Sequence, residues 1–176
     1  MQRLTLLVLV TITLSPATTL AQTRKRSTKP KSTSASAATQ RVNEVRTAGA
    51  TRVGDQIKFL TKFIYLLGSV SVNIASVDES VKRNEAPATM AQKNQQNKTA
   101  VKASITGFRD SLDKLEVDFR TTPELQPYYI KLAGVAAGAA DAEAFAGTNQ
   151  FDKAGRKLLD VVNHLTDVLV AMRQNF

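Results

Sequence analysis

The sequence predicts an all-α protein: an up-down-up-down antiparallel four-helix bundle preceded by a signal peptide and a disordered basic tail. Three observations carry this expectation. From Val101 to Phe119 the apolar residues Val101, Ile105, Phe108, Leu112, Leu115 and Phe119 step by four, three, four, three and four. That spacing lays them on one stripe of a helix, whereas a strand would alternate every second residue. Comparable stripes recur in three other segments joined by short connections, the pattern of antiparallel neighbours in a bundle. The 176 residues include only 5 Pro and 8 Gly and neither Cys nor Trp, so helix interiors are little interrupted. The lack of cysteine removes disulfides, thiolate metal sites, c-type haem attachment and thiol nucleophiles together. The segments share no repeating period, which disfavours a solenoid.

Residues 1–21 read as a secretory signal. Arg3 forms a short positive start, Leu4 to Leu14 an apolar run, and Pro16 breaks it. The run is shorter than the ~20 residues a membrane-spanning helix needs. Cleavage sites are available after Ala21 and after Ala17. Export without cysteine points to a periplasmic or extracellular location, in a bacterial envelope more than a eukaryotic ectodomain. The chain is not expected to span a membrane after cleavage.

Residues 22–40 are rich in Ser, Thr, Ala and basic residues without a large apolar side chain, and are expected to form a flexible linker. Arg24, Lys25, Arg26, Lys29 and Lys31 lie here, and the first acidic residue of the chain is Glu44. Seven of the 24 basic residues precede Val42; the remaining 17 are nearly balanced by 15 acidic ones. Of the net charge of +9, +7 therefore belongs to the leader and tail, and the five basic residues are candidate contacts to an anionic lipid or envelope polymer. Specific nucleic-acid recognition is not expected.

The folded part, residues 41–176, is expected to hold helices over about 42–84, 89–120, 123–146 and 150–175. In the first, Val53, Ile57, Leu60, Ile64, Leu67, Ile74 and Val81 form one stripe, interrupted by Ser71 and Asp78, and Phe59, Phe63, Leu66, Val70 and Val77 form a second beside it. So wide a face suits a helix packed on two neighbours. Lys58 and Lys62 within the run argue against a membrane span. Gly49 and Gly54 place the start of packing near Val53. A turn at Asn84-Glu85-Ala86 ends in Pro87.

The second helix carries the Val101–Phe119 stripe. Extended backward, the stripe meets Lys98 and Asn94, so this end of the seam is a candidate polar opening. Asp110, Asp113, Glu116 and Asp118 are expected to face solvent. The third helix begins with Thr122-Pro123 as cap and first turn, or only at Pro127. It places Tyr128, Leu132, Val135, Ala139, Ala142 and Ala146 inward, and its small residues are expected to approach the Phe-rich first helix closely. Gly147 suits its end and Asn149 the next start. The fourth helix carries Phe151, Ala154, Leu158, Val161, Val162, Leu165, Val168, Leu169 and Met172 on one face. Leu159 and Val170 lie well off it, a candidate partner patch.

A bundle core can hold a di-iron centre, haem or an apolar ligand. Carboxylate di-iron sites need two Glu-xx-His pairs, and this chain has one His and no such pair. His164 sits on the flank of its helix, and Met172 on the same helix cannot face it across an iron. Asp160 and His164, spaced i, i+4, are the one general-base candidate. Phosphate loops, nucleophile elbows and zinc motifs are missing from the sequence. The expectation is a non-enzyme without catalytic residues, metal or cofactor, which binds or scaffolds in the envelope through a protein partner and the basic tail. The alternative is a carrier of a small apolar ligand or b-type haem in the bundle interior.

Overall fold

The computed structural model describes residues 32–174, with side chains from residue 36 onward. Its helices are α1 (Ser32–Lys82), α2 (Ala88–Thr121), α3 (Gln126–Leu132), α4 (Val135–Gly147) and α5 (Phe151–Arg173). The long helices pack in a ring, α1 on α2, α2 on α4, α4 on α5 and α5 on α1, with α3 against α2 and α5. Neighbours are antiparallel: Asp78 meets Lys98 while Arg52 meets Asp118, and Gly49 faces Met172 while Gly155 faces Leu67. This is the up-down-up-down bundle expected. The signal segment 1–21 and Arg24, Lys25, Arg26, Lys29 and Lys31 lie outside the described residues.

The core follows the stripes. Val53, Leu60, Leu67 and Ile74 of α1 are buried, as are Val101, Ile105, Leu112, Leu115 and Phe119 of α2. Tyr128, Leu132, Val135, Ala139, Ala142 and Ala146 are all buried, and so are Phe151, Ala154, Leu158, Val161, Leu165, Val168 and Met172. Phe108 is partly buried and packs tilted against Phe63, ring centroids 5.1 Å apart, across the α1–α2 contact. A methylene removed from water contributes about 0.8 kcal/mol, so these fully covered rows dominate the fold's stability.

Five expectations need correction. The composition predicts a flexible linker up to residue 40, but α1 is helical from Ser32. The alanines of Ser34-Ala35-Ser36-Ala37-Ala38 are good helix formers and lengthen a helix that is already nucleated, and residues 36–38 are exposed. Gly49 and Gly54 predict packing from Val53, yet Val45 already meets the core and Gly49 is buried. A Cβ on Gly49 would lie 2.7 Å from Leu125 Cδ2, so the missing side chain lets Leu125 close this end of the bundle.

The third helix is two helices, and of the two starts considered the later one holds, at Gln126. Its break is at Ala133-Gly134, where Gly134 takes φ +100°, a left-handed conformation natural to glycine. The small residues of α4 pack on α2 and α5, and α1 lies diagonally opposite. A Cβ on Gly138 would come 2.8 Å from Val161 Cγ2 of α5. The N-cap of α5 is Gln150, while Asn149 has φ 62° in the turn after α4, a left-handed residue following a helix end.

Candidate functional site

The hairpin joining α1 and α2 turns near Ala86, so residues eight positions before and after it come level. These are Asp78 and Asn94, the points where the two apolar stripes are interrupted. Asn94 is the buried polar side chain among the described residues, 5 % exposed. Its Nδ2 donates to Asp78 Oδ1 at 2.8 Å and to the Ile74 carbonyl at 3.3 Å. One turn on, Lys98 Nζ donates to the same Asp78 Oδ1 at 2.6 Å. The Lys98 side chain is 13 % exposed, so its charge depends on this partner. The end of the seam is thus closed by a hydrogen-bonded triad, not opened. Asn94 and Lys98 were visible in the sequence as candidates, whereas Asp78 was visible only as a gap in a stripe. Measuring both gaps from the turn is the signal that joins them.

Asp78 also borders a surface groove of about 470 Å³ between α1 and the α4–α5 turn. Val72, Ile74 and Phe151 make its apolar lining, and Asn149, Asp152 and Lys153 its polar rim. It adjoins a smaller groove of about 180 Å³ between α1 and α5, lined by Ile64, Leu67, Gly68 and Leu159. Leu60, Ile105, Leu112, Leu158 and Leu165 fill the bundle interior, where a carried ligand was considered, with no more than 2 % of any of them exposed.

Other polar groups the sequence left on a solvated face are tied between helices. Glu116 of α2 accepts from the Gly134 and Ala136 N–H groups at 3.0 and 2.8 Å, so it caps α4 across the bundle. A carboxylate at a helix N-terminus is also favoured by the helix dipole. Glu143 accepts from Thr106 Oγ1 at 2.6 Å and Arg109 Nη1 at 2.5 Å, and Asp118 pairs with Arg52. Arg109 also donates to Asp110. That bond, with the nearby charge of Glu143, holds the Arg109 guanidinium above its already high ordinary pKa. Asp113 is exposed as expected.

Leu159 and Val170 are each 49 % exposed, and of the two Leu159 reaches the α1–α5 groove. His164 is half-buried on α5 and Asp160 is exposed, and no hydrogen bond or ion pair joins them among the described residues. Met172 is buried two turns along the same helix, and Met90 is exposed at the start of α2. Clusters of three or more His, Asp or Glu suited to a metal are absent among the described residues.

The exposed apolar side chains concentrate on α1. Phe59, Tyr65, Leu66, Val72 and Val81 are exposed, Phe59 at 60 % and Tyr65 at 82 %. An 18-residue window of this helix has mean hydropathy 1.4 with 17 % of it buried, so by length and composition it could cross a membrane. Lys58 and Lys62 stand within the apolar run, and the Leu60, Leu67 and Ile74 side of the helix serves the core.

No protein-family model matches the chain, and no curated protein or solved structure matches it.

Proposed function

We propose that the protein is an exported, non-enzymatic helical bundle that binds or scaffolds in the cell envelope, held to an anionic surface by the basic run from Arg24 to Lys31. The observation that supports this best is the overhang of α1. Residues 36–41 are all exposed, and the first side chains of α1 to meet the core are near Val45 and Gly49. At ~1.5 Å per residue, the helix from Ser32 to Glu44 adds an arm of roughly 20 Å. In sequence this arm follows directly on five basic residues with no acidic residue among them. A Lys or Arg near an anionic membrane contributes about 1 kcal/mol, an attraction that salt screens over about 8–10 Å. The bundle then supplies the scaffold and the arm its attachment.

Deleting residues 22–40 tests this reading. Salt-sensitive sedimentation with anionic vesicles or envelope fragments is expected to disappear, while the thermal transition of the bundle stays in place. Sedimentation that survives the deletion rejects the tether.

A further inference from the structure

From Phe63 to Val77, α1 carries no charged residue, a run of roughly 22 Å at ~1.5 Å per residue. Its inner side, with Leu67 and Ile74, belongs to the core. On its outer side Tyr65, Leu66, Ser69, Val72, Asn73 and Ser76 are exposed, Tyr65 at 82 % and Val72 at 67 %. The window of α1 with mean hydropathy 1.4 has the composition of a membrane element, yet 17 % of it is buried. A core helix of a soluble protein reaches such hydropathy by being mostly buried, and this one is not. α4 lies diagonally opposite α1 in the ring, so the outer side of α1 is a corner that a flat surface can touch while α2 and α5 stay in place.

The hydroxyls of this stretch are bonded within the helix. Ser69 Oγ donates to the Leu66 carbonyl at 3.0 Å, Ser71 Oγ to that of Gly68 at 3.0 Å and Ser80 Oγ to that of Ser76 at 3.1 Å. Hydroxyls bonded to their own backbone lose little when water is removed. Basic residues stand at both ends of the run, Lys58 and Lys62 before it and Lys82 and Arg83 after it. Lys58, Lys82 and Arg83 pair with Asp55, Glu79 and Glu85, whereas Lys62 has no ion pair among the described residues. Lys62 precedes Tyr65 and Leu66 by three and four residues, so its ammonium shares their face.

We infer that the outer face of α1 around Tyr65, Leu66 and Val72 lies in the plane of a lipid bilayer's interface, these side chains below the headgroups and Lys62 among anionic ones. Gly68, Ser69 and Asn73 space the large side chains apart, so a rigid partner finds no continuous ridge to fit. A fluid acyl boundary needs no matching shape. Asn73 and Ser76 suit headgroup depth, which makes this an in-plane contact and not a span. Peripheral attachment holds when an apolar signal is joined to a polybasic one. α1 supplies the first, and Arg24 to Lys31, which precede it in sequence, the second. The inference deepens the tethering reading by naming lipid as the anionic surface, and it rests on that reading for the polybasic signal.

The chain has no Trp, so one tryptophan placed in the full chain reports its own surroundings. With vesicles of phosphatidylglycerol and phosphatidylcholine, Leu66→Trp is expected to shift its emission to the blue and to be quenched by brominated acyl chains. Ile130→Trp, at an 83 % exposed residue of α3, should show neither. In 1 M salt, where charges are screened beyond ~3 Å, the tail's share of binding is lost and the share due to α1 remains. Tyr65→Glu with Val72→Glu should lower that remaining partition by at least ~10-fold, the worth of one large side chain taken from water. Circular dichroism confirms the fold of each variant, all made at exposed positions. Vesicle-bound protein whose tryptophan at 66 stays in water overturns the inference and leaves the tether standing. Insertion at 66 that survives deletion of residues 22–40 supports it while the tether falls. A blue shift that needs no vesicles and grows with protein concentration assigns the face to a second copy, and overturns it.

Discussion

Helices α5 and α1 carry similar apolar content and treat it differently. α5 confines its large residues to one face and buries nearly all of it, from Phe151 through Met172, with Leu159 and Val170 as its exposed exceptions. α1 carries two stripes. It buries the one containing Leu60 and Leu67 and leaves much of the other, with Phe59 and Leu66, in water. α1 touches α2 and α5, whereas α5 touches α1, α4 and the short α3, so α5 has one more neighbour to cover it. The width of the apolar arc differs as well. That of α5 matches the angle its neighbours cover, and that of α1 exceeds it, so apolar surface remains after the core is complete.

Truncation at equivalent chemistry tests this difference with the largest effect. Leu165 of α5 is fully buried, and Leu165→Ala should cost about 2–5 kcal/mol in urea unfolding. Leu66 of α1 is half exposed, and Leu66→Ala should cost less than about 1 kcal/mol at protein concentrations too low for association. Equal losses at the two positions would show that both stripes of α1 belong to the core.

Inside α1 itself, the buried stripe changes from packing to polar bonding at Asp78. Replacing Asp78 by Ala leaves Lys98 without its counter-charge and Asn94 with one donor bond fewer, and should destabilise the bundle by about 1–3 kcal/mol. Replacing the three together with apolar residues of similar volume (Asp78→Leu, Asn94→Leu, Lys98→Met) should recover most of that loss. Buried ionic groups are seldom more stabilising than well-packed apolar ones, and their best-attested use is to set register. Chemical denaturation of the single and triple variants measures this directly. A triple variant as unstable as Asp78→Ala would mean that the triad itself holds the hairpin together.

How far these features could be read beforehand depended on what each left in the sequence. The stripes of α2 and α5 were legible because every step of three or four lands on a covered position, and α5 itself starts and ends within two residues of the expected 150–175. The break between α3 and α4 was not. The inward residues Tyr128, Leu132, Val135 and Ala139 keep an unbroken helical spacing through it, so periodicity carries no trace of the turn at Gly134. The cap that stabilises it, Glu116, lies 18 residues earlier on another helix. Asn94 and Lys98 stood out as polar residues on an apolar stripe, but their partner could be named only once the hairpin placed Asp78 level with them. The start of α1 at Ser32 was hidden for the opposite reason: its first turns are Ser, Thr and Ala without a large apolar side chain, so no stripe marks them, although alanine favours helix.

Two glycines separate covered from open helix surface at the smallest scale. Gly138 of α4 and Gly107 of α2 both sit within helices, where replacing Gly by Ala alone stabilises by about 0.5–1 kcal/mol. A methyl at 138 would meet Val161 Cγ2 at 2.8 Å, and a β-branched side chain held between two helices has few rotamers in which to retreat. Gly138→Ala should therefore destabilise, by about 1–3 kcal/mol, despite the gain in helix propensity. A methyl at 107 meets nothing, so Gly107→Ala should raise the stability of the monomer by up to about 1 kcal/mol. Thermal melts of the two variants at low concentration should shift in opposite directions.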